Sequence, residues 1–184
     1  SDISGVQFPN TLSSIGNSNF ESTNLSGFDF PTAAGFTMGN RNFVSCDYSF
    51  WPSLSIPSNV VSIGDQNWFQ SDAVQSIIID GNFSGVIGDN NWKEAGQVGT
   101  LHIQYSGNNS SINIGSSNFQ SCIILDDIKI DCGSNFFLGT DNFLGIKADA
   151  LIKVNNLYLS EYDSTWSGSQ SLPNGVEIVG YNPV

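Results

Sequence analysis

Short hydrophobic segments with the spacing apolar-x-x-apolar-x-apolar recur along the chain. Six copies align, and their apolar residues are Leu25/Phe28/Phe30, Trp51/Leu54/Ile56, Val74/Ile77/Ile79, Val98/Leu101/Ile103, Leu125/Ile128/Ile130 and Val154/Leu157/Leu159. The last two apolar positions of each copy are separated by one residue, as in a strand that buries one face and exposes the other. The pattern therefore predicts six short strands with a shared inward face.

A second motif, aliphatic-Gly-x-x-Asn-aromatic, precedes each hydrophobic segment. Its glycines recur at intervals of 23, 25, 24, 27 and 24 residues, at Gly16, Gly39, Gly64, Gly88, Gly115 and Gly139. Periods of this size are typical of solenoids, in which one coil cannot bury its apolar stripe and only stacked coils form a core. We therefore predict a mainly β repeat solenoid, with stacked coils of about 24 residues and short parallel strands.

The repeats also define the domain organisation. Six full repeats occupy about residues 15–159, and partial coils flank them in residues 1–14 and 160–184. Within the last part, 172–180 resembles the start of a further coil, whereas 160–171 reads as an irregular polar stretch. We expect the whole chain to be a single solenoid. Since it starts with Ser1, we also expect a mature or trimmed segment.

The repeated glycine and asparagine each suggest a structural role. The glycine is expected to adopt a backbone conformation that a Cβ would forbid at a tight corner. The asparagine precedes a buried aromatic, so its side chain must be hydrogen-bonded. We predict a stacked ladder that bonds the turn backbone of neighbouring coils, formed by Asn19, Asn42, Asn67, Asn91, Asn118 and Asn142.

Two stretches resemble a known repeat family. Residues 55–68 (Ser-Ile-Pro-Ser-Asn-Val-Val-Ser-Ile-Gly-Asp-Gln-Asn-Trp) and 114–130 are similar to the BspA-like leucine-rich repeat, whose unit of roughly 23 residues contains Ile-Pro-x-x-Val-x-x-Ile-Gly-x-x-Ala-Phe-x-x-Cys. The likeness spans about 3–159 and 172–180. It differs from the family pattern in having Asn in place of Ala before every aromatic.

The resemblance implies both an architecture and a setting. Such proteins are stacked-coil solenoids, found at the surface of bacteria and some protists, which bind host proteins or other cells. The resemblance therefore implies an extracellular or cell-surface protein, and a protein or glycan partner on another cell or surface. A right-handed parallel β-helix is the alternative fold.

Charge and composition exclude several partner classes. The chain has 17 acidic and 5 basic residues, a formal net charge of −12 and a pI near 4.1. Nucleic acid requires a basic surface, and an anionic membrane repels an acidic one. No stretch approaches the ~20 consecutive apolar residues of a transmembrane helix. We therefore expect no nucleic-acid partner and no direct membrane insertion.

The ionisable residues do not form a catalytic motif. The single histidine, His102, occupies an outward strand position, and no serine or cysteine nucleophile motif accompanies it. We predict no enzymatic activity, no metal site and no cofactor. Acidic residues keep open a role in calcium binding or glycoside hydrolysis, the candidates being Asp65, Asp89, Asp126, Asp127, Asp131 and Asp141.

The three cysteines do not indicate a disulfide framework. Cys46 and Cys122 both lie three residues after a repeat aromatic, and we expect them to be small buried hydrophobic residues. They fall three coils apart, which is too far for a bridge. A bridge between Cys122 and Cys132 remains sterically conceivable.

If the strands stack in parallel, the residues between the inward positions form outward rows. One predicted row is Asp29, Ser55, Ile78, His102, Lys129 and Tyr158, and the next is Pro31, Pro57, Asp80, Gln104, Asp131 and Ser160. An exposed line of mixed side chains suits recognition of a partner by a solenoid sheet. The candidate partner-binding residues are Ile78, His102, Gln104, Lys129, Asp131 and Tyr158.

Three functions from different classes follow from these observations. A non-enzymatic binding or adhesion module is favoured, because the repeated residues are nearly all scaffold. A structural component of a surface assembly or virion fibre, assembled through the solenoid ends, is an alternative. A polysaccharide-acting β-helix enzyme is another, and it would require acid residues such as Asp126 or Asp131.

Overall fold

The chain folds into a parallel β-solenoid of about six turns, with about 24 residues per turn and almost no helix. This computed structural model describes residues 2–3, 7–25, 27–46, 51–104, 111–133, 135–160, 162, 166 and 169–182. It confirms the fold class predicted from the repeat period. In the described residues no helix is long and apolar enough to span a lipid bilayer.

The described residues contain 14 strands, numbered here in chain order. They are β1 Asp2–Ile3, β2 Ser14–Ile15, β3 Asn24–Leu25, β4 Phe36–Met38, β5 Leu54–Ile56, β6 Val60–Ile63, β7 Ser76–Ile79, β8 Val86–Ile87, β9 Thr100–Ile103, β10 Asn113–Ile114, β11 Asp127–Ile130, β12 Phe137–Leu138, β13 Leu151–Asn155 and β14 Glu177–Tyr181.

Two parallel sheets run along the solenoid. The first sheet has the order β2-β4-β6-β8-β10-β12 and takes the strand before each motif glycine. The second sheet has the order β5-β7-β9-β11-β13-β14 and contains the second to sixth hydrophobic segments, followed by β14. β1 and β3 form a short third sheet. The five turns from β4 to β13 thus each contribute one strand to each main sheet, whereas β2 and β14 have no counterpart in the other sheet.

The core lies between the two sheets and contains a column of stacked aromatic rings. The ring centroids of Phe43, Trp68, Trp92 and Phe119 are 5.2 to 5.5 Å apart from one ring to the next, and adjacent ring planes lie within 15° of each other. All four side chains are fully buried. Burial of each large apolar side chain contributes roughly 1.5–3 kcal/mol, so this column is a main source of stability.

The sixth hydrophobic segment has a different register from the one predicted. Ile152 and Val154 pair with the inward residues of β11, whereas Leu157 is 81% exposed in a 3₁₀ helix, Asn156–Tyr158. Both 151–154 and 154–159 contain alternating apolar residues. The strand ends at Asn155 because its side chain accepts a hydrogen bond from the Leu157 amide. The sixth strand was therefore predicted too late in the chain.

The flanking segments close the two ends of the core. Residues 159, 160, 162, 166 and 169 are helical, so the irregular stretch expected there is wrong. Trp166 is buried and packs on Phe143, with 6.4 Å between ring centroids. At the other end Phe8 packs edge-on against Phe20. In the first copy Phe28 and Phe30 are buried as predicted, but outside the strands.

The motif glycine is required for a reason other than the predicted one. None of the motif glycines has a positive φ. A Cβ on Gly64 would lie 2.9 Å from the carbonyl carbon and oxygen of Gly39 in the preceding coil. The left-handed residue is the one two positions later, with φ between 54° and 59°, at Ser18, Arg41, Gln66, Asn90, Ser117 and Asp141. Close approach of neighbouring coils therefore excludes any side chain at the glycines of the second to sixth motifs.

Candidate functional site

The outward side of the second sheet brings most of the predicted binding residues together. Register pairing places Ile78 beside His102, and His102 beside Lys129, on neighbouring strands. Gln104 and Asp131 directly follow β9 and β11. We call this surface the outer face and define it by Ile78, His102, Gln104, Lys129, Asp131 and Lys153.

Lys153 replaces Tyr158 in this surface. Lys153 is the register partner of Lys129, whereas Tyr158 lies in the 3₁₀ helix beyond the strand. The predicted row was therefore wrong at Tyr158, and for the same reason at Ser160, because the sixth strand begins earlier than expected. The alternation in Leu151-Ile152-Lys153-Val154 is the signal that could have located Lys153.

A buried carboxylate and the histidine form a hydrogen-bonded pair in the outer face. The Nε2 atom of His102 lies 3.0 Å from Oδ2 of Asp131, and the side chains are 31% and 10% exposed. Oδ1 of Asp131 is buried and has no hydrogen-bond partner among the described residues. A buried carboxylate oxygen without a donor is unfavourable. The pair therefore has an unused hydrogen-bond acceptor.

Equivalent positions in other coils use the side chain differently. Oδ1 of Asp80 accepts a hydrogen bond of 2.8 Å from the amide of Asn82. Oδ1 of Asn155 accepts one of 3.0 Å from the amide of Leu157. Both side chains thus stabilise the turn that follows the strand. Asp131 instead bonds a side chain of the preceding coil, which distinguishes it from its structural counterparts.

The lysines of the outer face have different partners. Nζ of Lys153 lies 3.7 Å from Oδ1 of Asp127. Nζ of Lys129 lies 5.7 Å from the ring centroid of Tyr181, a cation–π contact. Within the described residues Lys129 forms no ion pair with a carboxylate. Its ammonium group therefore keeps its capacity for an anionic partner.

The repeated asparagines stack in one column beside the aromatic rings. Oδ1 of Asn91 accepts a hydrogen bond of 2.9 Å from the amide of Asn67 in the preceding coil. Nδ2 of Asn91 donates to the Gly88 carbonyl, 3.1 Å away. The same amide-to-Oδ1 bond joins all five successive pairs, with lengths from 2.8 to 3.1 Å. Asn42, Asn67, Asn91, Asn118 and Asn142 are fully buried.

The column ends at a residue outside the motif. Oε1 of Gln170 accepts a 2.9 Å hydrogen bond from the amide of Asn142, and its Nε2 donates to the Gly139 carbonyl at 2.7 Å. Gln170 is fully buried and occupies the position of a seventh rung. It was missed because no Gly-x-x-Asn motif surrounds it.

A second polar column follows the glycines. Oδ1 of Asp65 accepts a 2.8 Å hydrogen bond from the amide of Asp89, and Oδ1 of Asp89 accepts one of 2.7 Å from the amide of Ser116. Asn17 and Asn40 make the same contact with the next coil. An Asn or Asp directly after four of the six glycines was the available signal. The loop carboxylates of Asp65 and Asp89 therefore accept hydrogen bonds from the turn backbone of the next coil.

Comparison with known proteins agrees with this architecture. A family model described as BspA type leucine rich repeat region matches the chain in six copies, over residues 1–95 and 37–156. The chain belongs to the BspA-type leucine-rich repeat family. No curated protein and no solved structure matches it. Members of this family are generally non-enzymatic repeat proteins, typically at the cell surface or secreted.

The remaining carboxylates of this BspA-type repeat are dispersed. Asp126 pairs with Lys147, and Oδ1 of Asp141 accepts a 2.6 Å hydrogen bond from the Ser171 hydroxyl. Within the described part of the chain, no three His, Cys, Asp or Glu residues are grouped so as to hold a metal ion. The structure does not gather the calcium candidates into one site.

The cysteines of the BspA-type repeat are buried thiols, and no disulfide joins them. Burial raises the pKa of Cys122 to about 12, and its Sγ donates to the Trp92 carbonyl at 3.0 Å. Burial, and after it the charge of Asp131, raises the pKa of Cys132 as well. Because the thiolate is the reactive form, neither of these two thiols is suited to act as a nucleophile at neutral pH. The conceivable bridge between Cys122 and Cys132 does not form.

Proposed function

We propose that this chain is a non-enzymatic binding module at a cell surface or outside the cell. It recognises a protein or glycan partner through the outer face. Family membership supports the general role, since BspA-type repeats are often used as binding modules. Regular solenoid sheets suit this task because they present side chains from successive coils in line.

One observation carries the choice of surface. Asp131 is 7% exposed, and its buried Oδ1 lacks a hydrogen-bond donor, while its counterparts Asp80 and Asn155 stabilise their own turns. A buried polar atom that the fold leaves unsatisfied calls for an explanation, and a donor supplied by a bound partner is one. The adjoining imidazole of His102 is partly exposed and connects this carboxylate to the surface.

The surroundings of the pair suit a polar or mixed partner. Gln104 is exposed and provides both a donor and an acceptor, and Ile78 provides a half-buried apolar contact. Lys129 adds a cationic donor without a carboxylate partner among the described residues. Donors, acceptors and an apolar group within one strip are the features from which specific recognition is built.

Binding should be tested with labelled protein on intact mammalian and bacterial cells, on immobilised extracellular-matrix proteins and on a glycan array. The test variant is His102→Ala with Gln104→Ala, which removes exposed groups of the outer face. The matched control is Val61→Ala with Val86→Ala, which changes exposed residues of the first sheet (47% and 48% exposed).

We expect the outer-face variant to lose about tenfold or more in affinity, which corresponds to loss of one or two good contacts. The first-sheet control should bind as the wild type does. Equal loss in both variants, or no loss in either, would contradict the assignment of the surface. Absence of binding to every cell, matrix protein and glycan would contradict the proposed function itself.

A further inference from the structure

The outer face carries half of the basic side chains of an otherwise acidic chain. The chain has one histidine and five lysine or arginine residues against 17 acidic ones. Three of these basic residues, His102, Lys129 and Lys153, occupy the same register position on the successive strands β9, β11 and β13. Among the described strands of the first sheet, none contains a charged residue. The three side chains therefore form a local cationic strip, which we call the basic row.

The two lysines of the basic row repel each other. Lys129 and Lys153 are register partners on neighbouring strands, which lie about 4.8 Å apart. Like charges at directly opposed positions of a sheet are unfavourable. Oδ1 of Asp127 lies 3.7 Å from Nζ of Lys153, beyond hydrogen-bond distance, and Lys129 has no carboxylate partner in the described residues. An anion bound between the two ammonium groups would remove this repulsion.

The next outward positions provide hydrogen-bonding groups instead of lysines. Gln104 and Asp131 lie two residues beyond the basic row on their strands, a distance of roughly 6.6 Å. Gln104 is exposed, and its amide group both donates and accepts. Oδ2 of Asp131 bonds His102, whereas its Oδ1 is buried without a donor. The outer face thus combines a cationic row with a hydrogen-bonding row, separated by about the width of one sugar ring.

We propose that the outer face binds an acidic saccharide, with its anionic group on the two lysines of the basic row and its hydroxyl groups on Gln104 and Asp131. This inference rests on the proposed function and names the class of partner. A carboxylate or sulfate between the two ammonium groups accepts charge-assisted hydrogen bonds from both. A sugar hydroxyl donates to Oδ1 of Asp131 after this carboxylate rotates, since Oδ1 is buried in the free protein.

The size and composition of the second sheet favour a saccharide over a protein as the partner. Its six strands, about 4.8 Å apart and about four residues long, present an outward area of roughly 24 by 13 Å, or about 300 Å². Stable protein interfaces bury about 800 Å² on each partner. Their centres are also rich in aromatic and other apolar side chains, whereas Ile78 is the only apolar residue that defines the outer face. A short saccharide fits this small, polar surface.

The charge of the whole chain makes the proposal specific to this surface. With a net charge of −12 the protein as a whole repels a polyanion. Binding of an acidic saccharide therefore requires direct contacts with a local cationic group and does not follow from the overall charge. Replacement of any two lysines by glutamine changes the net charge by the same amount, so the position of the lysines can be tested at constant charge.

Surface plasmon resonance tests the proposal with three immobilised acidic glycans and their neutral forms: polygalacturonate and its carboxyl-reduced form, sialyllactose and lactose, dextran sulfate and dextran. The wild type should bind at least one acidic glycan about tenfold or more tightly than its neutral form. Lys129→Gln with Lys153→Gln should weaken this binding at least about tenfold, because both ammonium contacts are lost. Lys93→Gln with Lys147→Gln, outside both sheets, is the matched control and should bind as the wild type does. Circular dichroism and a thermal melt establish that each variant folds.

Immobilised polyglutamate separates a saccharide from a peptide of the same charge. It should bind at least about tenfold more weakly than the best acidic glycan. Equal binding to polyglutamate, equal loss in the two lysine variants, or no binding to any of the three acidic glycans overturns the proposal. A protein or neutral glycan that binds in place of an acidic one, and that depends on His102 and Gln104, overturns this inference and leaves the proposed function intact.

Discussion

At the scale of single residues, the structure replaces a conformational explanation of the motif glycine with a steric one. Gly88 lacks a positive φ, but a Cβ there would lie 2.2 Å from Oδ1 of Asp65 and 2.9 Å from the carbonyl carbon of Gly64. Gly16 has the same motif position in the first coil, where only Nδ2 of Asn19 comes within 4 Å, at 3.8 Å. The glycine is therefore essential only where another coil precedes it.

This difference predicts opposite outcomes for one substitution. Gly88→Ala should destabilise the protein by about 1–3 kcal/mol or more, because the methyl group overpacks against backbone that cannot move away. Gly16→Ala should change the free energy of unfolding by less than about 0.5 kcal/mol, or stabilise slightly through the unfolded state. Urea denaturation of both variants measures this. Similar destabilisation by both would favour the conformational explanation.

Local sequence patterns predict only part of the outer face. Strand alternation predicts that Ile78, His102 and Lys129 point outward, since it depends only on local spacing. The contact between His102 and Asp131 spans 29 residues and depends on the register of two coils. The sequence does not reveal the unpaired oxygen of Asp131 either. Asp80 has the same side chain at the equivalent position, but its Oδ1 accepts a hydrogen bond within its own turn.

At the scale of elements, the asparagine column couples each turn to the next. Every buried rung accepts an amide from the preceding coil, so removal of one side chain leaves a donor without a partner. Asn19, at the start of the column, is exposed, and no described amide donates to its Oδ1. Asn19 and the buried asparagines therefore occupy the same motif position but differ in burial and in hydrogen bonding.

Asn91→Ala should therefore lower the free energy of unfolding by about 1–3 kcal/mol, the cost of an unsatisfied buried group. Asn19→Ala should cost clearly less, since it removes only exposed contacts. The midpoints of chemical denaturation compare the two variants. An unchanged midpoint for Asn91→Ala would show that the column does not contribute to stability.

Element boundaries were harder to predict than the elements themselves. Five of the six hydrophobic segments keep the predicted inward residues, because each has one well-separated apolar alternation. The sixth contains two overlapping alternations, and hydrogen bonding by Asn155 decides between them. Helical residues near Trp166 were not predicted because the flanking positions are polar and lack the motif.

At the scale of the whole molecule, the stacked motif turns that contain the asparagine column have two different ends. At the first coil, amides such as Ser18 and Phe20 bond the second coil, and the rung Asn19 is exposed. At the sixth coil, Gln170 supplies the final acceptor to the amide of Asn142. Stability in a solenoid depends on contacts between neighbouring coils, so an end residue controls only the coil beside it.

Gln170→Ala should accordingly speed hydrogen exchange of the Asn142 amide by about tenfold to a hundredfold, because the hydrogen-bond acceptor is lost. The amide of Asn118, one coil inward, should exchange at nearly the wild-type rate. Residue-resolved exchange by NMR measures both in one sample. Equal acceleration at the two amides would indicate global destabilisation instead of loss of a local cap.

The stacked motif turns also have a local electrical polarity. The carbonyl of Asn40 accepts from the first coil, while the amide of Arg41 in the same peptide unit donates to the third. Peptide units at this position are aligned along the axis in each coil, so their dipoles, about 3.5 D each, add as they do in a helix. The positive pole faces Gln170 and the negative pole faces the first coil. The polarity is confined to the turn, because the amides of Gly39, Gly64 and Gly88 donate to the preceding coil and their peptide units point the opposite way.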